Sequence, residues 1–76
     1  MKAKSDKRVA LMQAVKNEVN EQGVIYRKRI IALMKEISGT SAMNYRIASM
    51  VDIVIKDLMQ EGFMERVEKG LFKKAE

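Results

Sequence analysis

Apolar residues recur along this chain at two different periods, and the switches between them divide it into elements. Leu11, Met12, Val15 and Val19 fall inside an arc of about 100° on a helical wheel, the stripe of a core-facing helix. That helix opens after Ser5 or Asp6, either of which can cap it, and Gly23 offers the left-handed conformation that ends it. Val24-Ile25-Tyr26 is a short run of β-prone types, too brief for a helix, and reads as an edge strand pairing with a later hairpin. Residues 27–37 return to the helical period, with Ile30, Ile31, Leu33, Met34 and Ile37 on a broad apolar face, and Gly39 ends them.

The third helix has the cleanest pattern. It is predicted over residues 41–61 with Thr40 or Ser41 as its cap, and Met43, Ile47, Met50, Val51, Val54 and Leu58 form its buried stripe. Ile53, Ile55 and Met59 lie outside that stripe, a surplus that can pack on the first helix or on a second subunit.

After Gly62 the period changes again, and residues 63–74 read as a tight hairpin. A two-residue Lys69-Gly70 turn would set Val67 directly opposite Phe72, with Gly70 supplying the positive φ. Phe63 shares the face of Val67, so three apolar side chains would close the core from the sheet side. A three-residue loop would shift that register. The expected fold is mainly α with a small antiparallel sheet (α+β), ordered helix, strand, helix, helix, strand, turn, strand.

Composition narrows the function. At 76 residues the chain makes one domain, which buries only about 60% of its unfolded surface and has little left to wall off a substrate pocket. It has neither cysteine nor histidine, so disulfides, thiolate ligands and imidazole chemistry are all excluded. No enzyme, catalytic residue, metal, cofactor or small-molecule substrate is expected. Lys and Arg number 15 against 10 Asp and Glu, and the net charge of +5 points to an anionic partner. The same charge would also keep a small protein soluble. No apolar run approaches the roughly 18 residues of a membrane span. The basic N-terminus lacks the apolar core of a signal peptide, so a cytoplasmic protein without a membrane partner is expected. Residues 1–5 read as a flexible basic arm (Lys2 and Lys4, continued by Lys7 and Arg8) and residues 6–76 as the folded domain.

This layout, over residues 6–74, resembles the winged helix-turn-helix of DNA-binding transcription regulators. Glu61-Gly62-Phe63-Met64-Glu65-Arg66 looks like the join between third helix and wing in many small prokaryotic and archaeal regulators, and the compact ones encoded by viruses and plasmids are closest in size. The likeness is one of layout, not of a diagnostic string. Lys35 stands where the tight turn of phage repressors prefers a small residue, which favours the looser turn of winged helices.

The resemblance implies that the N-terminal half of the third helix enters the major groove, with residues 63–74 as the wing. That half carries Ser41, Asn44, Tyr45, Arg46 and Ser49, types suited to base edges: Arg to guanine, Asn to adenine, Ser to either. Capping is the competing role for Ser41 and Asn44, and Tyr45 could equally pack on the second helix. Asp52 and Lys56, four residues apart, are expected to pair with each other. Arg27, Lys28 and Arg29 crowd a helix N-terminus, where cations oppose the dipole, so phosphate contact would explain their placement; Lys56 joins them. Arg66, Lys69, Lys73 and Lys74 are the wing cations, with Lys69 at the tip.

The expectation is therefore a sequence-specific double-stranded DNA-binding regulator, acting as a repressor by occupying a promoter. About five to seven phosphate contacts would lower its affinity roughly a thousandfold between about 50 and 200 mM salt. One such module buries only about 600–1,000 Å², so two copies on a two-fold site, or a weak homodimer, are expected. The alternatives are a winged-helix protein–protein interaction module, docking through Ile55 and Met59, and a non-specific RNA- or DNA-binding protein.

Overall fold

In a computed structural model of the chain, which describes residues 6–75, the elements run α1 (Asp6–Gln22), β1 (Val24–Tyr26), α2 (Arg27–Ser38), α3 (Tyr45–Gln60), β2 (Met64–Glu68) and β3 (Leu71–Lys74). The basic arm expected over residues 1–5 lies outside the described residues. The fold is mainly helical with one three-stranded antiparallel sheet, the α+β class expected from the pattern. β3 is central, pairing with β1 through Ile25↔Phe72 and with β2 on its other side.

Each element contributes one face to a single core. Leu11, Val15 and Val19 come from α1, Ile30 and Met34 from α2, and Ile47, Val51, Val54 and Leu58 from α3. Ile25, Met64 and Phe72 close it from the sheet. No polar side chain among the described residues is buried with them, so no desolvation cost offsets the gain. Each fully buried aliphatic side chain contributes about 1.5–3 kcal/mol, against a helix-propensity penalty of about 0.5 kcal/mol for a β-branched residue. Burial therefore holds Ile47, Val51 and Val54 in a helix despite their intrinsic preference for strands.

The join between α2 and α3 is longer than the apolar pattern implied. Gly39 adopts φ 70°, and its N–H reaches the Glu36 carbonyl while the Thr40 N–H reaches that of Lys35, closing α2 as expected. α3, however, begins at Tyr45 and not near residue 41. Its cap is Asn44, whose Oδ1 accepts from the Ile47 N–H at 3.0 Å. Neither proposed cap is used: Ser41 is exposed in the loop, and Thr40 Oγ1 instead accepts from the Ala42 N–H at 3.1 Å. Met43, expected in the buried stripe, lies before the helix and is 48% exposed. The stripe also widens on its other flank, where Ile55 is buried although Ile53 and Met59 stay partly exposed.

The hairpin departs from the expected register. Glu68 does pair with Leu71 across Lys69-Gly70, but the ladder slips between Arg66 and Glu68, so Phe72 faces Arg66 and not Val67. The cause is backbone conformation. A two-residue turn of the favoured kind needs positive φ at its first central residue, and no described residue other than glycine has one; Gly70 alone turns, at φ 78°. The extra residue forms a bulge, which reverses which side chains face inwards. Val67 is accordingly 52% exposed, Met64 takes the core position at 2%, and Phe63 packs only partly against it.

Candidate nucleic-acid interface

The exposed side of α3 carries Tyr45, Asp52, Lys56 and Gln60, with Ser49 half-buried between them, all opposite the buried stripe. Tyr45 stands at the first turn and is 85% exposed, so it does not pack on α2. Arg46 is exposed on the flank that also holds Asp57, and Asp57 is engaged by the Arg8 guanidinium of α1. Ser41 precedes the helix by a loop, whereas Asn44 is committed to its cap.

The other flank of α3 faces the β2–β3 hairpin. There Arg27, Asp52, Ile55, Arg66, Lys69 and Phe72 are among the residues lining a cleft of about 210 Å³. Arg27 ties its three walls together. Its guanidinium donates to Asp52 Oδ1 at 2.8 Å, and its backbone N–H donates to the Gly70 carbonyl at 2.8 Å. The first residue of α2 thus holds both the middle of α3 and the turn of the hairpin. Asp52 does not pair with Lys56 as expected; Arg27 reaches it across the cleft instead.

The Arg27-Lys28-Arg29 run does not form one patch. Successive residues are about 100° apart on a helix, so Arg27 and Arg29 diverge. Arg29 Nε meets both carboxylate oxygens of Glu18 on α1, at 3.0 and 3.1 Å, and the Lys28 ammonium lies 6.0 Å from the Tyr26 ring centre. The four cations of the hairpin also separate. Arg66 and Lys69 line the cleft, whereas Lys73 pairs with Glu65 across the outward face of the sheet at 3.8 Å. Lys74 is exposed at the far end of β3, where its N–H meets the Gly23 carbonyl.

The acids of α3 are both engaged, Asp52 by Arg27 and Asp57 by Arg8, and Glu61 just beyond the helix meets Lys16 at 3.2 Å. Exposed pairs of this kind contribute about 0–1 kcal/mol each to stability, so their effect is mainly on the field. With its acids neutralised, the α3 surface is left with the charge of Lys56 and Arg46 on the helix and of Arg66 and Lys69 beside it. None of these four makes an ion pair among the described residues. The sequence hinted at the cleft only through Ile55 and Met59, the apolar surplus outside the stripe, which turn out to line it.

No protein-family model matches the chain, and no curated protein matches it at a significant level. No helix among the described residues is long and apolar enough to cross a membrane.

Proposed function

We propose that this domain is a winged helix-turn-helix regulator that binds double-stranded DNA sequence-specifically. α3 lies in the major groove and the β2–β3 hairpin acts as the wing against the adjacent backbone. The observation that carries this reading is the backbone bond from the Arg27 N–H to the Gly70 carbonyl, which anchors the hairpin turn at the cleft that α3 also lines. A helix with its side chains is about 10–12 Å across and the major groove about 12 Å wide, so a hairpin held beside the helix meets the groove's edge.

Roles follow from chemistry and position. Tyr45, Arg46 and Ser49 face base edges from the first turns of α3, and Lys56, Arg66 and Lys69 meet phosphates. Asn44 serves the helix by capping it, and Arg27 positions the wing. Two copies on a two-fold site would compensate for the small footprint of one, and occupation of a promoter would repress.

Selection of bound sequences from random duplexes tests this reading. The expected result is an enriched motif repeated with two-fold symmetry at a spacing of about one helical turn. Recovery of unenriched DNA, or of no DNA at low salt, would overturn sequence-specific binding.

A further inference from the structure

A second cavity, of about 460 Å³, opens between the start of α1, the end of α2 and the start of α3. We infer that it binds a small organic carboxylate with an apolar tail. Its size is within the roughly 300–1,000 Å³ of small-molecule sites. Its floor is Met34, Ile47 and Met50, two of them thioethers that adapt to an irregular apolar guest. Its rim carries Lys7 and Arg46, and no carboxylate side chain among the described residues lines it.

The rim is built to meet an anion. Neither Lys7 nor Arg46 makes an ion pair among the described residues. Two polar groups of the lining have already spent an acceptor oxygen internally. Asn44 Oδ1 takes the Ile47 N–H and Thr40 Oγ1 takes the Ala42 N–H, which leaves the Asn44 amide and the Thr40 hydroxyl as donors. Donors and cations at the mouth over an apolar floor select a carboxylate head with a hydrocarbon tail. A neutral amphiphile would satisfy only the floor, and an inorganic anion only the rim.

The test uses octanoate, hexanoate and octan-1-ol, each titrated into the isotope-labelled protein with no nucleic acid present, so its outcome is independent of DNA binding. Saturable amide shifts with octanoate are expected at Thr40, Asn44, Ile47 and Met50. Octan-1-ol should bind at least tenfold more weakly, because a hydrogen-bonded charge pair is lost. Hexanoate should bind roughly fifteenfold more weakly than octanoate, since each of the two buried methylenes it lacks contributes about fourfold. The double variant Lys7→Gln, Arg46→Gln alters only exposed side chains and should keep its amide spectrum while losing at least tenfold in octanoate affinity. Met50→Phe, which narrows the floor, should weaken octanoate and octan-1-ol alike. Absence of saturable shifts, equal affinity for the acid and the alcohol, no gain with chain length, or undiminished octanoate binding by either variant would each overturn the site.

Discussion

The Arg27 guanidinium donates to an Asp52 carboxylate oxygen at 2.8 Å, joining the start of α2 to the outer face of α3. The pair sits beside Arg66 and Lys69 in the cleft between α3 and the β2–β3 hairpin. It neutralises the Asp52 carboxylate in the middle of the surface proposed to meet phosphates, but it does so by holding one cation back from them. Exposed pairs contribute little to stability, so the main consequence of this one is electrostatic.

Asp52→Asn should therefore raise duplex affinity several-fold at low salt while changing unfolding free energy by less than about 1 kcal/mol. The released Arg27 should steepen the dependence of log affinity on log salt by about 0.9. Fluorescence anisotropy across a salt series, with urea denaturation alongside, measures both. A fall in affinity matching that of Arg27→Ala would instead make Asp52 an orienting group.

Asn44 serves the helix, and its replacement should separate folding from binding. Asn44→Ala should cost about 1 kcal/mol in urea denaturation, the usual value of a lost cap. Asn44→Asp keeps the cap and suits the helix dipole, so stability should be retained. Its added charge should still weaken duplex binding. Equal destabilisation by both substitutions would contradict the capping role.

The bulge in the hairpin makes opposite predictions for two neighbouring apolar residues. Met64→Ala should cost about 2–5 kcal/mol, as truncation of a buried side chain does. Val67→Ala, at a half-exposed position, should stay within about 0.5 kcal/mol. Denaturant midpoints decide it, and the reverse order would restore the register in which Val67 faces Phe72.

That pair of residues also marks what an apolar pattern leaves open. Helical stripes were legible because their burial follows a period that composition alone reveals: Leu11, Val15 and Val19, or Ile47, Val51, Val54 and Leu58, each recur at helical spacing and are buried. Strand β1 was legible for its length and residue types, and its pairing with the hairpin followed from them. Val67 was misplaced because inward and outward alternate every residue in a strand, so one bulge reverses the assignment. The start of α3 was missed because Thr40, Ser41 and Asn44 are all capping types. Only geometry tells which of them has an N–H three residues ahead within reach. In the candidate interface, the exposed face of α3 could be read from the wheel. The partners of Asp52, Arg29 and Asp57 could not, because each lies on another element.

Arg46 and Lys69 should fail in different ways. Arg46→Ala should lower the preferred sequence by about 1–3 kcal/mol and flatten discrimination, whereas Lys69→Ala should weaken all duplexes alike and reduce the salt slope by about one. Competition binding with preferred and scrambled duplexes measures this. Sequence-blind losses from both would remove Arg46 from base readout.

The central claim is that α3, Arg27 and the hairpin turn present one surface to a double helix. Titration of a short duplex into the isotope-labelled protein at low ionic strength tests it most directly. Amide shifts should concentrate at Tyr45, Arg46, Ser49 and Lys56 and at Arg66, Lys69 and Gly70, with Val24 and Lys73 on the outward face of the sheet unmoved. Amides that stay put throughout the titration, or shifts confined to that outward face, would contradict it.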